Sequence, residues 1–332
     1  MSSPEHAPTA PAVLHWVDQL TQPSSDRARR SLLALRAACP DATRFVETVL
    51  LPCQHEVGRR WMRGTITATM EHRVTALFER IVLESLPPVS AGDGPASLAV
   101  LSAEGEQHTL APLALVWLVA EAGGRADHLG AGVPSADLDV QLDRSSYAAV
   151  AVSCATTGRL IGALRTIDVL RAHGCSVVAG GAGFGTDGRY ARLLGADAVA
   201  VSLPDGVRLL STSGGQGRRH PLDAGRVAEA TLVDHEAAAI AYDVLRRLGH
   251  DADLPLGPVG FLDLIATSVR ATAAALVLDR PEIVTGHTDW LRDLLMLRLG
   301  AGWVAAPAMR HVVGAVAGRA PSAHSLLAAV DG

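Results

Sequence analysis

Hydrophobic and polar positions change rhythm twice along the 332-residue chain. Up to about residue 86, apolar side chains recur every three to four positions, the spacing of amphipathic helices. The pattern predicts four helices, near 9–22, 25–38, 41–62 and 66–86. Ser25 with Asp26 is placed to cap the second, and Asp41 with Thr43, behind Pro40, the third. Connections this short favour antiparallel neighbours, hence a four-helix bundle over residues 1–88.

Past the breaker-rich stretch Pro87–Pro95 the rhythm alternates. Short apolar runs at 97–102, 126–129, 148–153, 176–179 and 198–201 read as strands. Helical stretches at 112–122, 135–142, 160–172 and 189–194 lie between them. Strands joined by helical crossovers imply a doubly wound parallel sheet of Rossmann-like form, residues 96–212, with helices on both faces. A second breaker run, Ser211–Gly217, opens a third segment, 220–332, that is helical again. Helices are expected near 222–248, 258–279, 281–299 and 305–316, with a short one near 321–330. Pro281 suits a first turn and Gly249 a stop. The fold class is therefore multidomain, α and α/β.

Composition narrows the function. No run of about eighteen apolar residues is free of charges and breakers, which argues against a transmembrane helix. Met1–Pro11 is polar and acidic rather than basic and then apolar, which argues against a secretory signal. Cys39, Cys53, Cys154 and Cys175 lack metal-type spacing and sit in apolar contexts, as buried thiols of a cytoplasmic protein do. The net charge is −5, every basic residue but His is Arg, and no basic run occurs. That argues against nucleic acid as the main partner.

The candidate chemistry lies on the loops that follow the strands. His108 stands between the first strand and an apolar helix, where the carboxyl edge of a parallel sheet meets ligands. Glu106 is placed to accept its second ring N–H and so orient the imidazole as a ligand to a transition metal. Ser153, Thr156 and Thr157 offer hydroxyls after the third strand, and Gly180-Gly181 bare backbone after the fourth. In the first segment Trp61 is followed, after nine residues, by Glu71-His72. A turn at Gly64-Thr65 would bring all three onto one face. There an indole covers an apolar or adenine surface, and the pair hydrogen-bonds ribose hydroxyls. Each feature alone has an ordinary alternative: a solvated loop histidine, a packing indole, a surface charge pair, common sheet loops.

Together, Glu106-x-His108-x-x-Ala111, Ser153 with Thr157, and Gly180-Gly181 resemble the cobalamin-binding domain of methionine synthases, mutases and cobalamin photoreceptors. That family's pattern is Asp or Glu, x, His, x, x, Gly, then a Ser-containing strand end and a Gly-Gly turn. The resemblance implies that His108 is the lower cobalt ligand and that the displaced dimethylbenzimidazole tail enters a slot lined by Ser153, Thr157, Gly180 and Gly181. Ala111 stands where the family has Gly, and Ala155 where Leu is usual. The Trp, nine residues, Glu-His spacing resembles adenosylcobalamin-dependent light-sensing repressors, which implies that Trp61 packs on the adenosyl group beside Glu71 and His72. Those repressors carry an N-terminal DNA-binding domain, and none is recognised in this sequence. They also have His directly after the Trp, where this chain has Met62, so His55, His72 or water is left for the upper position after photolysis.

The order of parts resembles the photocobilins: helical lid, cobalamin domain, then a globin-like domain holding a bilin. No Cys follows Cys175, so the implied biliverdin is non-covalent, with His287 and His311 as pocket candidates. Tyr242, Phe261, Trp290 and Trp303, with Arg246, Arg247, Arg270, Arg292, Arg298 and Arg310, suit stacking and pairing of a tetrapyrrole and its propionates. A dimerising helical domain is the plainer reading of the same residues. The leading expectation is a photoreceptor, more a regulatory protein than an enzyme. It uses adenosylcobalamin and biliverdin, changes conformation or homo-oligomeric state in light, and signals to a further protein. The alternatives are a corrinoid methyl-carrier and a light-independent cobalamin-sensing regulator.

Overall fold

The computed structural model describes residues 10–88, 97–212, 217, 221–248 and 258–328. The first nine residues, most of both breaker runs, the stop expected at Gly249 and the end of the last predicted helix lie outside them.

The first segment is helical throughout: α1 (Ala10–Leu20), α2 (Ser25–Ala38), α3 (Ala42–Phe45), α4 (Leu51–Met62) and α5 (Ala68–Ser85). The helix expected over 41–62 is interrupted. A π-helical turn, Val46–Leu50, joins α3 to α4 and rotates the downstream face by the one extra residue it accommodates. The second helix is capped by Ser24, whose Oγ accepts from Arg27 N at 3.3 Å, one residue ahead of the expected position. Asp41 caps α3 through Arg44 N at 2.6 Å, and Thr67 caps α5 through Met70 N at 3.2 Å.

The middle segment is a five-stranded, all-parallel sheet in the order β2-β1-β3-β4-β5. Its strands are β1 (Leu98–Ser102), β2 (Ala126–Gly130), β3 (Ala149–Ser153), β4 (Ser176–Gly180) and β5 (Ala198–Ala200). The runs AVAVS and SVVAG are continuously apolar because central parallel strands are covered on both faces. On one face lie α6 (Leu110–Glu121) and α10 (Leu203–Thr212), the latter not anticipated from the sequence. On the other lies the core that includes α7 (Ser135–Leu142), α8 (Leu160–Ala172) and α9 (Arg189–Leu194). The strand order reverses between β1 and β3, and an open α/β sheet places its ligand crevice at that point, outside the strands' carboxyl ends.

Both central crossover helices are apolar on more than one side because each is sandwiched. α6 packs on the sheet through Leu115, Val116 and Val119, and on the bundle through Leu110, Leu113, Ala114, Trp117 and Leu118. Trp117 is fully buried, edge-on to Phe45 with ring centroids 6.1 Å apart, and lies under the Arg36 guanidinium. α8 sits between the sheet and the C-terminal helices, whose core is continuous with its own.

The third segment comprises α11 (Ala224–His235), α12 (Ala237–Leu248), α13 (Pro258–Leu278), α14 (Glu282–Leu299) and α15 (Ala305–Ala317), then a 3₁₀ turn, Pro321–Leu326. The single helix expected over 222–248 is broken at Glu236. Phe261–Leu278 is long and apolar enough to cross a membrane by composition, but most of it is buried here as the central helix against α11, α12, α14 and α15.

His287 is buried inside this segment. It bonds Ser268 Oγ through Nε2 at 2.9 Å and stacks obliquely on Trp290. Burial pushes its imidazole down to about 4 from an ordinary 6.5. The unfolded chain therefore takes up a proton below pH 6.5 that the folded chain refuses until about pH 4. This contribution to stability is complete above pH 6.5 and falls by on the order of 3 kcal/mol toward pH 4. Urea unfolding of the full chain across that interval is expected to lose most of this dependence in His287→Gln, with the slope from carboxylates unchanged.

Candidate functional site

The loop from Ala103 to Thr109 follows β1 at the switch point, and its conformation is fixed by one carboxylate. Glu106 is 2% exposed. Its Oε1 accepts from Gln107 N at 2.9 Å, His108 N at 3.2 Å and His108 Nδ1 at 2.5 Å, and its Oε2 accepts from Ala155 N at 2.8 Å on the loop after β3. Ser102 Oγ donates to the His108 carbonyl at 2.8 Å. Burial alone raises the Glu106 carboxyl, but the His108 bond and charge and the backbone donors outweigh it and hold it below the ordinary carboxylate value. The bond to Glu106 in turn holds the His108 imidazole above its ordinary value, against burial. With Nδ1 engaged, Nε2 is the ring nitrogen left for a metal.

His108 lies on a cavity of about 760 Å³ between the bundle and the sheet edge. From below it is lined by Gln107, His108, Thr109, Ser153, Ala155 and Gly181, and from above by Leu51, Gln54 and His55 of α4 and Glu71, His72, Thr75 and Glu79 of α5. Glu71 is tied into a network: Thr75 Oγ1 donates to it at 2.9 Å, Gln54 Nε2 lies at 3.4 Å and His72 Nε2 at 3.3 Å. The Gln54 Oε1 atom is buried without a donor. Thr109 Oγ1 donates to Glu79, joining the loop that carries His108 to the lid helix.

A narrower slot of about 270 Å³, sharing Leu51, His55, Ala111, Ser153 and Gly181 with the cavity, runs down the sheet face under α6 and α10. It is lined by Ala111, Leu115, Ser153, Gly180, Gly181 and Gly206 among others. Gly181 has φ +112°, and a Cβ there would lie 2.3 Å from the Cys154 carbonyl oxygen, so glycine is required for the crossing of the two loops.

The residues singled out from sequence thus divide. Glu71, His72, His108, Ser153 and Gly181 line one cavity, with Glu106 locking His108, and Gly180 joins Ser153 and Gly181 in the slot. Thr157 instead opens a 3₁₀ turn, Thr157–Arg159, packed against α13. Trp61 is absent from the lining: its ring lies under the Arg298 guanidinium of α14, 4.8 Å from the centroid, where α4 meets the C-terminal segment. His311 is half-buried on α15, well apart in sequence and element from this cavity. Gln54, Thr75, Glu79 and Thr109 were not anticipated. The signal for Thr75 and Glu79 was the i, i+4, i+8 stripe Glu71, Thr75, Glu79, which puts three oxygen-bearing side chains on one helix face; Gln54 and Thr109 had none.

These residues fit a corrinoid. Among the described residues no group of three or more His, Cys, Asp or Glu converges to hold a metal. A single oriented imidazole is the donor set for a metal already ringed by a macrocycle. The slot beside it is apolar and bottomed by glycine, with room for a planar aromatic tail, and the buried Gln54 acceptor matches the amides fringing a corrin.

Residues 17–83 match the family model described as "B12 binding domain". No curated protein matches the chain. Among solved structures it is similar to the Methanosarcina barkeri monomethylamine corrinoid protein, at 17% identity and TM-score 0.49, over 60% of this chain and 97% of that one. A cobalamin-binding protein from Desulfitobacterium hafniense DCB-2 is 16% identical, with TM-score 0.33 and the same coverage. The methanol:cobalamin methyltransferase complex from Methanosarcina barkeri is 15% identical, with TM-score 0.32, over 65% and 87%. The matched residues 17–83 lie within the first helical segment, which stands directly over the loop that carries His108.

Proposed function

We propose that the chain is an adenosylcobalamin-dependent light sensor. The observation that carries this reading is the composition of the cavity. A carboxylate-locked imidazole forms its floor, and a Glu-His pair suited to ribose hydroxyls sits in a helical roof. When bound, adenosylcobalamin supplies a cobalt–carbon bond that visible light breaks. In this reading His108 holds the lower face, and Ser153, Gly180 and Gly181 receive the nucleotide tail. Glu71 and His72 bind the ribosyl group, while Leu51, Gln54 and Thr75 exclude water from the upper face. Trp61 has to leave Arg298 and turn inward to cover the nucleoside. The change of its partner alters the contact between the bundle and α14, which is the surface through which a homo-oligomer or a signalling partner is sensed. Biliverdin, held non-covalently by the C-terminal helices, is the second chromophore in this reading. Because His287 is committed to Ser268, its pocket is assigned to other groups of that segment.

One observation favours a second reading. Trp61 lies off the cavity, which leaves the upper face open as a corrinoid methyl-carrier requires. Retention of methylcobalamin with turnover of a methyl donor, and no preference for the adenosyl form, would select it.

Two outcomes are expected. His108→Ala and Gly181→Val each weaken cobalamin retention by at least tenfold in the dark, and the His108 variant shifts the corrin bands to a form lacking the imidazole ligand. Glu71→Gln and Trp61→Ala leave hydroxocobalamin retention within about threefold but lower adenosylcobalamin affinity by about tenfold, the ~1.4 kcal/mol of one or two charge-assisted hydrogen bonds or a lost stacking contact. Absorption spectra of the washed protein before and after illumination check both. Unchanged corrin bands in light would sink the sensor.

A further inference from the structure

The C-terminal segment meets the cobalamin domain where the 3₁₀ turn after β3 packs on α13. The approach is close. A Cβ on Gly158 would lie 3.2 Å from Thr267 Cγ2 and 3.8 Å from Arg270 Cβ. Three guanidiniums gather in this crevice: Arg159 at the start of α8, Arg165 one and a half turns further on, and Arg270 of α13. Two carboxylates face them. Glu104 is bonded by Arg165 Nε at 3.0 Å and by Ser135 Oγ, and Asp234 of α11 by Arg165 Nη2 at 2.9 Å.

The donors outnumber these acceptors. Arg165 Nη1 is buried with no partner. Among the described residues Arg270 is ion-paired with Asp234 alone, its Nε 3.7 Å from Oδ1 and beyond hydrogen-bond length; Asp263 of α13 adds only its charge nearby, so the fork of the two terminal nitrogens is unused. The Arg159 guanidinium makes no hydrogen bond or ion pair among the described residues. It lies against the loop carrying His108, its Nη1 3.0 Å from where a Cβ on Gly105 would be. Arg159 and Arg270 also repel. Arg270 is shifted below its ordinary value by burial first and by the Arg159 charge second. Partly buried guanidinium donors left unmet beside a like charge are costly, and a planar oxyanion accepting two parallel N–H bonds removes both costs.

We infer that Arg159, Arg165 and Arg270 form an oxyanion site at the junction of the two segments, taking a carboxylate or phosphate group of a small ligand. The anion bridges the turn after β3 to α13, and its charge sits beneath the loop that orients His108. These three side chains form the site whether or not cobalamin is the ligand above.

Titration calorimetry of the full chain at fixed ionic strength tests it with three probes: inorganic phosphate, biliverdin, and biliverdin dimethyl ester, which lacks both carboxylates. Binding of phosphate assigns a free-anion site. Binding of biliverdin at least tenfold tighter than its diester assigns a propionate site. In either case Arg159→Gln and Arg270→Gln are expected to weaken the binding tenfold or more, while Arg246→Gln on the outer face of α12 does not. Arg159→Gln removes no existing bond, so its unfolding temperature is expected to match wild type, which separates lost binding from lost folding. No binding of phosphate or biliverdin, diester binding equal to biliverdin with no phosphate binding, or binding that survives both substitutions overturns the inference.

Discussion

A single buried carboxylate sets the geometry of the ligand edge. Glu106 has lost its water and regained four donors, three from its own loop and one from the loop after β3. An ionised carboxylate at 2% exposure persists only under such saturation. The arrangement does two things at once. It fixes which nitrogen of His108 is engaged, and it staples the two loops on either side of the switch point, so that the imidazole and the mouth of the slot keep one spatial relation. Without the fourth donor, Ala155 N, the histidine would be oriented relative to its own loop but not relative to the slot.

Around this staple the chain is layered. The bundle rests on α6 and the C-terminal helices rest on α8, so each helical segment reads a different face of the same sheet. Both also reach past the sheet to each other. Arg298 covers Trp61 at the tip of α4, beside Gly64, whose φ of +70° makes the turn into α5. About two-thirds of the way along α5, Glu79 receives Thr109. The lid helix is thus held along its length by the residue after His108 and at its start by the C-terminal segment.

Much of this was legible in the sequence, and the reasons differ by element. Parallel strands buried on both faces leave unbroken apolar runs, so β1, β3 and β4 are read within a residue of their ends. The Glu-x-His motif is local, and its geometry follows from two residues of separation. The break at Glu236 was hidden because no Gly or Pro marks it, whereas the π turn at Val46–Leu50 is marked by Pro52, the second residue of α4, which has no N–H for the carbonyl four residues back. α10 was missed because its start lies only two residues beyond β5 and its end runs into a breaker stretch. The partner of Trp61 is 237 residues away, and the Arg159–Arg270 approach spans 111, so no periodicity could report either. The bond from His287 to Ser268 was not legible because nothing in the spacing of α13 and α14 reports which serine an imidazole faces.

The placement of Trp61 carries a thermodynamic obligation. An indole that serves two alternative neighbours couples them, and the coupling is the same in both directions. Whatever free energy Arg298 contributes by covering the ring, of order 0.5–1 kcal/mol at a half-exposed site, is subtracted from the affinity of any ligand that claims the same ring. A mutation, modification or partner that draws Arg298 away returns that amount to the ligand, about two- to fivefold in its dissociation constant. For a ligand that draws Trp61 inward, the C-terminal segment would thus set the occupancy threshold of a cavity it does not line.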